Sequence, residues 1–126
     1  MKIKSFVKYF LATCFVAFLA AFSFAQTPTA NNPIITEEIK VEGNCGQCQT
    51  RIEKACYRMA GVQKASWNEE NDLLTVTYDS RKTTNDKIQA SVAKFGHDTP
   101  NHKASDKGYK KLPECCRYRE GNPHKH

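Results

Sequence analysis

Val41-Glu42-Gly43-Asn44-Cys45-Gly46-Gln47-Cys48 marks the decisive change of pattern in this chain. Before it, Ile34, Ile35, Ile39 and Val41 form a short apolar stretch that suits a first strand, Ile34 to Val41, with imperfect alternation. After it, Cys48, Ile52, Cys56 and Met59 recur at helical spacing. Ala55 falls on the same face, and Gly61 closes the element. The strand therefore runs into the helix through a loop punctuated by Gly43-Asn44 that holds two cysteines.

Working outward, Val62 to Trp67 reads as a second strand. Asn68 to Asp72 is a polar turn, and Leu74, Val76 and Tyr78 alternate on a third strand. Asp79 to Thr84 connects to a second helix marked by Ile88, Val92 and Phe95 and ended by Gly96. His97 to Ser105 is polar and makes a poor fourth strand. The order β-α-β-β-α-(β) predicts an α+β fold, a ferredoxin-like βαββαβ sandwich with two helices on one face of an antiparallel sheet. Its strand order would be 4-1-3-2, which sets the loop of His97 beside the loop of Cys45.

Two cysteines three apart at a helix start can aim both sulfurs at one point. The positive end of the helix favours thiolate over thiol, and thiolates are soft ligands that select Cu(I), zinc and similar ions. Redox enzymes also use a C-x-x-C, so a thiol-disulfide oxidoreductase is the alternative reading. Such enzymes have an aromatic residue before the motif, where this chain has Asn44, and an apolar strand after the facing proline, where Asn101-His102-Lys103 follows Pro100. Arg51, one turn on, is either a stabiliser of the thiolates or a solvated helix residue. Cys56, eight residues after Cys48, lies on the apolar helix face and reads as core. No Ser/His/Asp constellation or phosphate loop is present, so the reading is binding without catalysis.

The beginning of the chain bears on location. Lys2, Lys4 and Lys8 precede an apolar run from Tyr9 to Phe24, and Ser23-Phe24-Ala25 ends it with small residues at the positions a signal peptidase checks. Residues 1–25 therefore read as a secretory signal cleaved after Ala25. A membrane anchor is the alternative, but about 16 apolar residues fall short of the ~20 needed to span. Leu11-Ala12-Thr13-Cys14 is a further alternative, resembling a lipoprotein signal. Cleavage would place the protein in the periplasm or outside the cell with no stable membrane anchor. It would remove Cys14 from the six cysteines, and three lysines from a net charge of +6, leaving +3. That mild excess is no nucleic-acid signature. Five cysteines in an oxidising compartment do not close into pairs. Gln26 to Pro33 reads as a flexible lead-in.

Together, the stretch Val41 to Cys48, Arg51-Ile52-Glu53-Lys54-Ala55, Gly61-Val62, Val76-Thr77-Tyr78-Asp79 and Gly96-His97 resembles the heavy-metal-associated domain family. The likeness runs from about Ile35 to Thr99, within a domain taken as 34–105. The family includes copper chaperones, metal-binding modules of copper pumps and periplasmic mercury-binding proteins. The resemblance implies the ferredoxin-like fold and a metal ion held by Cys45 and Cys48. The ion would be Cu(I), with Hg(II) or zinc as alternatives, and the partner a metal transporter or efflux component. Two features depart from the usual pattern. The family has Gly-Met-Thr-Cys, whereas Gly43-Asn44-Cys45 is one residue shorter and lacks the methionine that packs beneath the loop. His97 stands where Tyr, Phe or Lys is usual, and is either a third ligand or hydrogen-bond partner near the site or an exposed loop residue.

The extension 106–126 contains Cys115-Cys116, then His124 and His126, which read as solvated. Adjacent cysteines pair poorly with each other. The nine residues Asp106 to Glu114 reach about 30 Å when extended, enough to run back along the sheet. Cys115 and Cys116 are thus candidates to complete the metal site, or else to bridge to another cysteine.

Overall fold

The computed structural model describes residues 32–121. The signal segment 1–25 with Cys14, most of the lead-in, and His124 and His126 lie outside the described residues. Three strands are present: β1 (Ile34–Lys40), β2 (Val62–Asn68) and β3 (Leu73–Asp79). Two main helices, α1 (Gly46–Tyr57) and α2 (Asn85–Lys94), are followed by a short α3 (Asp106–Lys110) and 3-10 turns at Glu114–Cys116 and Tyr118–Glu120. The sheet is antiparallel in the order β1-β3-β2. Among the described residues no helix is long and apolar enough to cross a membrane.

Alternation decides which face of the sheet is covered. Ile39, Ala65, Trp67, Leu74, Val76 and Tyr78 are buried, whereas Thr36, Glu38, Lys64, Ser66 and Thr75 on the opposite face are exposed, as a one-sided sheet requires. The covering layer comes from Cys48, Ile52, Ala55 and Cys56 of α1 and Ile88, Val92 and Ala93 of α2. Cys56 is fully buried there, as its helical position predicts. The helices are tied together where the Ser91 hydroxyl donates to the Ala55 carbonyl at 2.9 Å. Thr84 caps α2 by accepting from the Lys87 N–H at 3.3 Å. Gly61 and Gly96 follow the two helices at φ +99° and +100°, a region that favours glycine.

The expected fourth strand does not form among the described residues. One ladder-like bond survives, from the Glu42 N–H to the Asp98 carbonyl at 3.0 Å. Beyond it the chain turns back, with the Thr99 N–H donating to the His102 carbonyl at 2.8 Å. Pro100 has no N–H to offer, and the Asp98 carboxylate turns to the Ala104 N–H at 2.8 Å and to Arg119. Local polar bonds thus replace strand pairing. Because the Glu42–Asp98 bond remains, the His97 loop still lies against the first strand's end.

The extension does not run back as an extended strand either. Its apolar residues draw it into the core: Tyr109, Leu112 and Cys116 are buried in the same cluster as Trp67 and Ile52. The Leu112 side chain sits against Gly96, where an added Cβ would come within 2.9 Å of it. A short helix capped by Ser105, whose hydroxyl accepts from the Gly108 N–H at 3.1 Å, makes the reversal.

Beneath the cysteine loop lies Trp67, only 2% exposed. Its indole N–H donates to the Val41 carbonyl at 3.0 Å. A Cβ at Gly43 would meet the indole at 2.7 and 2.9 Å and the Cys48 Cβ at 3.2 Å. The indole therefore occupies the underside of a loop that lacks the family's methionine. Gly43→Ala is expected to destabilise the fold by ~1–3 kcal/mol, the usual cost of overpacking. Urea denaturation checks this, and an unchanged midpoint would refute the close contact.

Candidate metal centre

Cys45 ends the extended segment at φ −162°, ψ 165° and stands at the N-cap of α1 without a side-chain capping bond. One helical turn on, Cys48 returns its sulfur to 3.3 Å from that of Cys45. Cys116, arriving from the extension, places its sulfur 3.4 Å from Cys45. Cys115 lies 3.9 Å from Cys116, sulfur to sulfur, and its thiol donates to the Gln47 side-chain carbonyl at 3.4 Å. The sulfurs of Cys45, Cys115 and Cys116 all lie within 4.8 Å of one another. None of the five described cysteines is in a disulfide. Cys48 and Cys116 are buried, while Cys45 and Cys115 are half-buried and form the open side of the cluster.

His97 lies outside the mutually close trio. It is fully buried, so it is no exposed loop residue. Its Nδ1 is 2.9 Å from the Glu42 carbonyl. A carbonyl only accepts, so Nδ1 carries the proton, and in the neutral ring Nε2 holds the lone pair. That Nε2 is buried without a hydrogen-bond partner. Burial, with the Arg51 charge adding to it, holds the imidazole below its ordinary pKa against the Glu42 carbonyl. Asn44 is also buried, and its Oδ1 accepts from the Cys48 thiol at 3.4 Å while its Nδ2 has no partner.

The extension is held in place by groups that the sequence reading did not single out. The Tyr118 hydroxyl accepts from the Asp98 N–H at 2.8 Å and donates to the Gly96 carbonyl at 3.0 Å. Its ring stacks on His97 at 5.8 Å and meets Tyr109 edge-on at 5.3 Å. Arg119 forks onto Asp98 at 2.6 and 3.1 Å and lies over the Tyr109 ring at 4.5 Å. The available signal was the density of aromatic and arginine residues after the cysteines, Arg117-Tyr118-Arg119.

The thiols differ in acidity for physical reasons. Burial opposes ionisation of Cys45, but the N–H groups of Cys48 and Gln47 and the thiols of Cys48 and Cys116 outweigh it, so its pKa lies below the ordinary value. Cys48 is raised to about 11, chiefly by burial and further by Cys45. Cys116 is pushed well above the ordinary range by burial and by its two sulfur neighbours. Cys56, buried near Glu53, is raised to about 12.

A ferredoxin-like α+β domain with a thiol cluster at the strand–helix junction belongs to the class of small soft-metal-binding modules. A match to the Heavy-metal-associated domain spans residues 38–98. The solved CopZ metallochaperone is 32% identical with a TM-score of 0.50, over 52% of this chain and 98% of that one. The chain therefore belongs to the heavy-metal-associated domain family. The Zinc-transporting ATPase of Synechocystis sp. is 34% identical over 78 residues, 61% of this chain and 11% of the relative. The Copper-exporting P-type ATPase of Staphylococcus aureus is 36% identical over 64 residues, 50% of this chain and 8% of the relative. The chain thus spans about a tenth of the length of these curated relatives.

The acidity order makes a prediction for the reduced, metal-free protein. With substoichiometric iodoacetamide near neutral pH, Cys45 is expected to react ahead of Cys48, Cys116 and Cys56, with Cys56 spared until the fold opens. Peptide mass spectrometry reads the order, and early labelling of Cys48 or Cys116 would contradict it.

Proposed function

We propose that this protein is a non-catalytic carrier or scavenger of a soft metal ion, exported by the segment 1–25. Cu(I) is the leading cargo, with Hg(II) and zinc as alternatives. Cys45 and Cys48 are the primary ligands, and Cys115 and Cys116 complete the site. The observation that carries this reading is the convergence of sulfurs from two distant segments, at 3.3, 3.4 and 3.9 Å between neighbours. Sulfurs about 2.3 Å from a tetrahedral ion stand ~3.8 Å apart, and two on opposite sides of an ion stand ~4.6 Å apart. The observed spacing favours three sulfurs around one ion, those of Cys45, Cys115 and Cys116, with Cys48 3.3 Å from Cys45. Cu(I) suits a thiolate-rich set, and zinc suits four thiolates.

In this reading His97 is a support. Its Nδ1–H holds the Glu42 carbonyl and its ring backs Tyr118, which anchors the tail that carries Cys116. Cys45, half-buried on the open side of the cluster, is the entry point, so that a partner's thiolate can displace the ligands one at a time. The partner would be a metal transporter or efflux component, the class to which the zinc and copper ATPase relatives belong by name.

Native mass spectrometry of the reduced protein with Cu(I), Hg(II) and zinc, each against a competing chelator, tests the proposal. One ion per chain is expected, and Cys45→Ser/Cys48→Ser should abolish binding. Cys115→Ser/Cys116→Ser should weaken it at least tenfold; unchanged affinity would remove the tail from the ligand set. Insulin reduction should stay at background. Turnover there, with no metal binding, would instead favour the thiol-disulfide oxidoreductase.

A further inference from the structure

A groove of about 420 Å³ opens between α1, the end of α2 and the extension. Arg51, Lys94, Lys107 and Lys111 line it, with Phe95 and Gly108 among the remaining walls. Among the described residues no carboxylate lines it. Among the described residues none of these four cations takes part in an ion pair. Asp98 and Asp106 both face Arg119, at 2.6 and 3.4 Å. The Arg51 Nε is buried and has no hydrogen-bond acceptor. A buried donor without an acceptor is costly, and several like charges around one concavity repel each other while focusing their field into it.

We propose that this groove binds a small, multiply charged oxyanion, of the phosphate or polycarboxylate type. The guanidinium of Arg51 would supply the planar, fork-like donor that pairs with such groups. Lys94, Lys107 and Lys111 supply point charges around it. Lys107 and Lys111 lie beyond residues 38–98, so this site is built partly from the chain's own extension and is not shared with the family match. The inference does not rest on the metal reading, because none of the described cysteines lines the groove.

The test uses the full chain, reduced and metal-free, at low ionic strength. It is titrated with inorganic phosphate and with citrate, against sodium chloride of equal ionic strength, by calorimetry and by amide NMR shifts. Saturable binding of one or both oxyanions is expected, with shifts centred on Arg51, Lys107 and Lys111; whichever binds identifies the oxyanion type. Lys111→Glu places a carboxylate at the groove and should weaken binding at least tenfold. Lys110→Glu makes the same two-unit charge change at the neighbouring exposed residue, which does not line the groove, and should change binding less than twofold. Both positions are exposed, and an unchanged NMR fingerprint elsewhere verifies folding. Equal losses in the two variants would reduce the effect to net charge and overturn the site. Absence of saturable binding by either oxyanion would also overturn it, including the case where an acidic peptide such as oligoglutamate binds alone.

Discussion

Trp67 lies under the cysteine loop with only a hydrogen atom at residue 43 to separate backbone from indole. The entry angle of α1, and with it the approach of Cys45 to Cys48, rests on this contact. The indole N–H holds the Val41 carbonyl, fixing the last turn of backbone before the loop. On the strand side, the Glu53 carboxylate accepts the Trp67 N–H at 3.0 Å, which joins α1 to β2 in the same place. A loop over a large, rigid, hydrogen-bonded ring cannot collapse when its thiols change state. The loop therefore keeps its sulfurs close through rigidity beneath them, without the methionine that the resemblance leads one to expect.

That closeness has an electrostatic cost. Two unit charges at 3.4 Å repel by about 5 kcal/mol at an effective dielectric of 20. Neighbouring sulfurs at that spacing cannot all be thiolates without a counter-charge. The molecule answers by spreading their acidities: Cys45 is held low by the N–H groups of the helix start, while burial and the neighbouring sulfurs raise Cys48 and Cys116. A cation is the natural replacement for the retained protons, since it neutralises every sulfur it touches. Under the proposed function, loading is thus an exchange of protons for metal, and the one half-open, acidified thiol is where that exchange begins.

The strands, both main helices and the core position of Cys56 were legible because each rests on periodicity, a local property. So was the nearness of Cys45 to Cys48, set by helical spacing alone. The fourth strand was not, because Pro100 and the side-chain bonds of Asp98 and Thr99 divert the chain in a way that polarity only hints at. The path of the extension was also hidden. Chain length bounded its reach, but its docking depends on where Tyr109, Leu112 and Tyr118 find partners on a surface made by other elements. His97 was placed correctly beside the first strand, yet its full burial follows from Tyr118 covering it, a contact across 21 residues that no local pattern encodes.

The extension carries more than its length suggests. Residues beyond 98 supply Cys115 and Cys116 to the sulfur cluster and Lys107 and Lys111 to the cationic groove. Both contributions depend on the same docking contacts, Tyr118 on Asp98 and Gly96, and Arg119 on Asp98. Burial opposes ionisation of the Asp98 carboxyl, but the Arg119 guanidinium and the Ala104 N–H outweigh it and hold its pKa below the ordinary value. The contribution of that carboxylate to docking is full above its ordinary pKa and is lost as pH falls from there through the lowered folded value. Near neutral pH the tail is a fixed wall, not a titrating one. The two candidate sites use different residues of that wall, and they also share α1, which carries Cys48 and, one turn on, Arg51. The tail and α1 are thus the two elements through which any coupling between metal and oxyanion would pass.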